Sequence, residues 1–192
     1  IDYTNTSFIE KLCVNNDVPA NMLFQLIPKI SNNPDEIEEF YNKLLSKGLS
    51  SGVDISNALS NFNKANLDSL HEMLLLCEKY KFSASNTGNI LSSTNIGNLY
   101  GRQILLDRLN GDDFLSQDEK AQLAKSVNNY NASYKVIVFD LIKNNPNFPR
   151  EYVLRILSDV TGEQTFELSD KEYKIELEKK LLEEYNEVIN ST

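Results

Sequence analysis

The sequence predicts an all-α fold: a solenoid-like stack of about five helix–turn–helix hairpins of 31–34 residues, ending in a long charged C-terminal helix. Three observations predict it. Ile27, Leu59, Leu91, Leu123 and Leu157 recur at steps of 32, 32, 32 and 34 residues. Asn32, Asn63, Asn95 and Asn128 step by 31, 32 and 33, and Asp35, Asn66, Asn98 and Asn131 take the same steps. Self-similarity at such a period marks one supersecondary unit repeated along the chain. Within the units, apolar residues fall at i, i+4 and i+7, which is one face of a helix, and no segment sustains the alternation of a strand.

The expected units span approximately residues 17–48, 49–81, 82–113, 114–147 and 148–192, preceded by a capping helix in 1–16. They read as a single helical-repeat domain. Because the chain begins at Ile1 without a signal-like stretch, it reads as a fragment of a longer protein.

Each element has a local reason. Ser7-Phe8-Ile9-Glu10 has the capping-box pattern and predicts a short helix to about Val14. Val18-Pro19 opens the first repeat, where the missing N–H of proline costs nothing, and Leu23, Ile27 and Ile30 form its apolar face. Asn33 before Pro34 predicts an N-cap with proline at the first helical position. In the second unit Ile55, Leu59 and Phe62 repeat the spacing, followed by Leu67, Leu70, Met73, Leu74 and Cys77.

The third unit opens at Phe82-Ser83 and reaches Ile90-Leu91-Ser92. It is the poorest helix of the set, because Thr87 and Gly88 are weak helix formers. Leu99, Ile104, Leu105 and Leu109 belong to its second helix. Ser116-Gln117-Asp118-Glu119 is a capping box for the fourth unit. Tyr134, Val136, Ile137, Val138, Phe139, Leu141 and Ile142 follow, apolar almost all round, so the second helices are expected to form the inner layer. Phe148-Pro149 with Val153, Leu157 and Val160 opens the fifth unit. Beyond Gly162, Ser169-Asp170-Lys171-Glu172 predicts the long charged helix, with Tyr173, Leu177, Leu181 and Val188 on one stripe. Glu178, Lys179, Glu183 and Glu184 lie on its other face. The asparagine columns fall at the turns, where their side chains suit capping of free backbone N–H groups.

Composition limits the function. A net charge of -9 disfavours a nonspecific grip on nucleic acid or an anionic membrane surface. No apolar run can span a bilayer, so a soluble chain is expected, compatible with an intracellular or host-cell cytosolic location. Cys13 and Cys77 form no metal spacing and are expected to fill core volume. Abundant Asn, Lys and Ile beside little Arg suggest an AT-rich genome and fit a bacterial or parasite effector.

Motifs for chemistry are scarce. His71 is followed by Glu72 but has no second histidine at Leu75, so the zinc-protease pattern fails and a boundary position is expected. Scattered glycines form no phosphate loop. Asp112, Asp113 and Asp140 are the acid–base candidates, too many among 28 acidic residues to single out a pair. No cofactor, metal ligand or catalytic residue is assigned. Phe82-Ser83 with Ile90-Leu91-Ser92 resembles a unit of TAL-effector-like DNA-binding repeats, which are two-helix units of about this size. The paired glycines of their base-reading loop are missing, as in Asn95-Ile96-Gly97, and so is a basic stripe. DNA reading is therefore not carried over.

The reading that remains is a protein–protein interaction module, a helical-repeat scaffold or adaptor binding a protein or peptide. Tyr100, Tyr130 and Tyr134 are its expected anchors, because tyrosine offers large contact area and a hydroxyl at low entropic cost. The alternative is an all-α enzyme or regulatory domain with acidic catalytic residues, and a nucleic-acid-binding repeat ranks third.

Overall fold

A computed structural model describes residues 3–160 together with Lys179 and Glu183. The expected charged C-terminal helix, from Ser169 through Val188, and the connection at Gly162 otherwise lie outside the described residues. Among the described residues the structure is all-helical, with ten α-helices, one 3₁₀ turn and no strand. The chain divides into two compact units, Ile1–Leu99 and Tyr100–Thr192. The division falls inside the expected third repeat.

The first unit holds α1 (Tyr3–Val14), α2 (Ala20–Asn32), α3 (Pro34–Ser46), α4 (Gly52–Leu59), α5 (Leu67–Lys79) and α6 (Ala84–Leu91). Helix α1 starts ahead of the capping-box pattern, so Ser7 lies inside it rather than at its cap. Pro19 stands at the N-cap of α2, one position earlier than expected. Ser51 and Ser83 cap α4 and α6 identically, each hydroxyl accepting from the backbone N–H three residues on, Asp54 and Asn86, at 3.1 Å. Asn33 does hold the N-cap of α3 with Pro34 behind it, but its side chain makes no capping bond.

Leu59 and Leu91 are fully buried, as the leucine column requires. Ile27 breaks that column. Helix α2 runs 13 residues where α4 and α6 run eight, and its core-facing pair is Leu26 and Ile30, leaving Ile27 half-buried. Cys77 is buried, whereas Cys13 is exposed and fills no core volume.

The closest backbone approach in this unit is between two first helices, α4 and α6. Small residues make this possible. A β-carbon on Gly88 would lie 2.9 Å from Asp54 O, so the glycine that weakens α6 as a helix is what lets α4 approach it. Gly52, Ser56, Ala58, Thr87 and Gly88 are all buried at this level. Buried Asn16 ties the successive turns together, donating to Ser50 O at 2.8 Å and accepting from the Tyr41 hydroxyl at 2.5 Å.

The second unit holds α7 (Leu99–Leu109, counted here with the unit that takes all but its first residue), α8 (Gln117–Ser126), α9 (Ala132–Lys143), a 3₁₀ turn (Arg150–Tyr152) and α10 (Val153–Asp159). The capping box at Ser116 and Glu119 is present in both directions. Leu105, Leu109, Leu123, Val138, Phe139, Ile142, Val153 and Leu157 form the core, with Val136, Ile137 and Leu141 packed partly buried against it. Here too first helices meet directly, α8 against α10.

Candidate functional site

The most regular polar feature is a clasp at the hairpin turns. Between α4 and α5, the Asn66 N–H donates to Asn63 Oδ1 at 2.9 Å and Asn66 Nδ2 donates to Asn61 O at 2.8 Å. Between α6 and α7, the Asn95 N–H donates to Asn98 Oδ1 at 3.0 Å and Asn98 Nδ2 to Ser93 O at 2.7 Å. Between α8 and α9, Asn128 and Asn131 exchange backbone-to-side-chain bonds of 2.8 and 2.9 Å, and Asn131 Nδ2 reaches Ser126 O at 3.4 Å. Asparagine suits this role because one side chain offers both an acceptor and two donors.

Each clasp frames two residues whose side chains stand outside it, and in the second and third the clasp asparagine also accepts the N–H of Gly97 or Tyr130 at 2.8 Å. The framed pairs are Lys64-Ala65, Ile96-Gly97 and Asn129-Tyr130, and all six residues are exposed. The clasp positions are thus constant between hairpins while the framed pair changes.

In the second unit the frame carries an aromatic surface. Tyr130 is 86 % exposed, Tyr100 66 % and Ile104 42 %. Gly101 donates its N–H to Asn129 Oδ1 at 2.8 Å, so the start of α7 is pinned beside the turn that bears Tyr130. A β-carbon on Gly101 would overlap Asn128 O, which is why glycine stands there. Of the expected anchors, Tyr100 and Tyr130 are therefore held near one another on the surface. Tyr134 is 5 % exposed within the core, because it shares the inward face of α9 with Val138, and it offers no ring to a partner. Ile104, expected in the core, is instead on the surface beside Tyr100.

Two buried cations were not expected. Arg102 and Lys135 are both fully buried, and each stands 22 residues ahead of a carbonyl near the end of the next first helix. Arg102 Nε donates to Ala124 O at 3.0 Å; Lys135 Nζ donates to Leu157 O at 2.5 Å and Ser158 O at 3.0 Å. Helix C-termini leave carbonyls without intrahelical partners and carry partial negative charge, so a cation there satisfies both. Burial pushes the Lys135 ammonium down to about 8, against the pull of Asp159. The signal was present in the sequence: 102 and 135 follow Leu70 at steps of 32 and 33 residues, so a cation replaces an apolar residue in the expected register.

The acidic candidates are engaged in ion pairs. Asp140 accepts from Arg108 Nη2 at 2.5 Å and Nε at 3.0 Å, with the guanidinium over the Phe139 ring. Asp112 pairs with Lys143 and with Arg108 at 3.5 Å. Burial pushes the Asp112 carboxyl up, but the bond from Lys143, the Phe114 N–H and the charge of Arg108 outweigh it and hold it below its usual range. A carboxylate so held is a poor proton donor near neutrality. Arg150 binds Glu119 through two nitrogens, at 2.6 and 3.1 Å, and lowers that carboxyl in the same way. Asp113 is exposed.

His71 is half-buried, its Nδ1 3.2 Å from Lys43 Nζ and its ring edge-on to Phe40. Burial first, and then the Lys43 charge, push it below its ordinary value. Among the described residues no group of three or more His, Cys, Asp and Glu side chains is placed to hold a metal ion. Nor is any helix among them long and apolar enough to cross a membrane. No family model, curated protein or solved structure matches the chain.

Proposed function

We propose that the chain is a protein–protein interaction module, a helical-repeat scaffold or adaptor of the kind an effector carries, using the clasped turns and the aromatic surface beside them. The observation that supports this reading is the pair of exposed rings, Tyr100 and Tyr130, on backbone pinned by the Gly101–Asn129 bond. Exposed tyrosines on a rigid frame lose little entropy when a partner covers them, and they are enriched among the residues that dominate interface energies. A pull-down comparing the wild-type chain with Tyr100→Ala/Tyr130→Ala tests it. Partners captured by the wild type should be lost from the double variant, each truncation costing about 2 kcal/mol of binding. Equal capture by both rejects the tyrosine surface.

A second reading draws on the constant clasp with its changing framed pair. One variable pair per hairpin suits recognition of a linear polymer read one unit per repeat, whether an extended peptide or single-stranded nucleic acid. The charge of -9 favours the peptide. An electrophoretic mobility shift against mixed DNA and RNA at low salt separates the two, since nucleic-acid binding is strongest there. A robust shift would replace the protein partner with a nucleic acid.

A further inference from the structure

Asparagine is abundant in this chain, yet only one, Asn110, is followed by glycine. The pair ends α7. Asn110 comes directly after its last residue, Leu109, and Gly111 takes φ +77° in the turn toward α8. Asparagine is chemically labile, because the backbone nitrogen of the next residue can attack its carboxamide carbon. Three things ordinarily prevent the attack: crowding by the next side chain, a hydrogen bond on the carboxamide, and burial.

None of the three protects Asn110. Gly111 has no β-carbon, and the space where one would stand is open. Glycine also leaves the turn free to rotate its nitrogen toward the carboxamide. Both residues are exposed. Among the described residues no hydrogen bond engages the Asn110 side chain. The clasp asparagines are protected on two of these counts. Asn63, Asn95 and Asn128 hold their Oδ1 atoms on backbone N–H groups at 2.8 to 2.9 Å, and they precede Lys64, Ile96 and Asn129.

We propose that Asn110-Gly111 is a modification site at which the folded protein deamidates itself, giving aspartyl and isoaspartyl forms. The Gly111 nitrogen attacks Asn110 Cγ, and the new N–Cγ bond closes a five-membered imide. The Cγ–Nδ2 bond breaks, and Nδ2 leaves as ammonia with the proton that the Gly111 nitrogen gives up. Solvent water then opens the imide. Attack at Cγ restores the ordinary backbone and leaves aspartate; attack at the Asn110 backbone carbonyl carbon leaves isoaspartate, with the chain running through the side chain. Each product adds one negative charge to the net -9. The isoaspartyl form also lengthens by one methylene the backbone closed by the 3.1 Å bond from the Asp112 N–H to Leu109 O. That alters the turn which sets Asp112 against Arg108 and Lys143. No residue of the tyrosine surface takes part, so either reading can fail without the other.

The test incubates the full chain and Asn110→Gln side by side in native buffer at mildly alkaline pH, which favours loss of the Gly111 proton. Glutamine keeps the carboxamide but sets it one methylene too far for the five-membered ring. Tryptic cleavage after Arg108 and Lys120 then releases residues 109–120, in which Asn110 is the only asparagine. By mass spectrometry this peptide should gain about 1 Da, the difference between an amide and an acid. The gain should appear before any at Asn63, Asn95 or Asn128, with isoaspartate present beside aspartate, and Asn110→Gln should show none. Circular dichroism checks that both proteins stay folded throughout. An unchanged wild-type peptide overturns the proposal, as does a gain that appears first at a clasp asparagine or equally in Asn110→Gln. Aspartate formed without isoaspartate also overturns it, since that product comes from direct hydrolysis without attack by the Gly111 nitrogen.

Discussion

The two units solve one packing problem in different ways. In the first, Gly88 lets α6 approach the backbone of Asp54 in α4, and position 70 is a fully buried leucine. In the second, the positions matching it in the expected register hold Arg102 and then Lys135, which reach the carbonyls at the ends of α8 and α10. The second unit also carries the ion pairs of Arg108, Asp112, Asp140 and Lys143. Positions that coincide in the expected register thus share burial but not side-chain chemistry. Apolar contact and a charged hydrogen bond to a helix end both hold one hairpin to the next helix, and they differ in how they respond to substitution and to pH.

The largest effect should be shared by both units. Leu59→Ala in the first and Leu123→Ala in the second each empty a fully buried site and should cost about 2–5 kcal/mol. Glu183→Ala, at an exposed side chain, should change stability by less than about 0.5 kcal/mol. Denaturant unfolding monitored by circular dichroism checks all three. An unchanged midpoint for Leu123→Ala beside a lowered one for Glu183→Ala would show the leucine register to be wrong.

A smaller effect should separate the units. Arg102→Leu converts the second unit to the apolar pattern of Leu70 but leaves Ala124 O without its donor, so about 1–3 kcal/mol of stability should be lost. If the variant matched or exceeded the wild type in urea, the hydrogen bond to the helix end would be dispensable and the two solutions interchangeable.

A further contrast is the pH dependence that Lys135 gives the second unit. The folded-state value of Lys135, about 8, lies below its ordinary 10.5. Below pH 8 the group is protonated whether the chain is folded or not, and the folded state bears the cost of a buried charge. Between about 8 and 10.5 the unfolded chain binds the extra proton, so this group's contribution to stability rises with pH over that window. The stability of the wild type relative to Lys135→Met should increase across it. A flat difference from pH 7.5 to 10.5 would mean that the ammonium keeps its proton in the fold.

Much of the fold was legible because it rests on local physics. Helix periodicity, the capping box at Ser116 and the leucines at 59, 91, 123 and 157 all stand where spacing and side-chain chemistry put them. Asn63, Asn66, Asn95, Asn98, Asn128 and Asn131 were legible as turn chemistry, whereas Asn32 and Asp35 of the same columns lie inside α2 and α3. Ile27 was misplaced because a one-residue rotation of a longer helix cannot be seen in a column of apolar residues. Of the candidate site, Tyr100 and Tyr130 were legible as rings but not as neighbours, and Tyr134 could not be told from them, since tyrosine serves equally well in a core and on a surface.

The sequence by itself determined the helical class, the capping box at Ser116 and the buried leucines at 59, 91, 123 and 157, because helix caps and apolar helix faces depend on residues within a turn or two of one another. Only the tertiary structure decided which helices meet, why glycine stands at 88 and 101, and which polar groups are buried. Those outcomes depend on backbone brought close across 20 or more residues of chain. Arg102 makes the point: its charge reads as surface in any local window, and only the end of α8, folded against it, gives the guanidinium a reason to be inside.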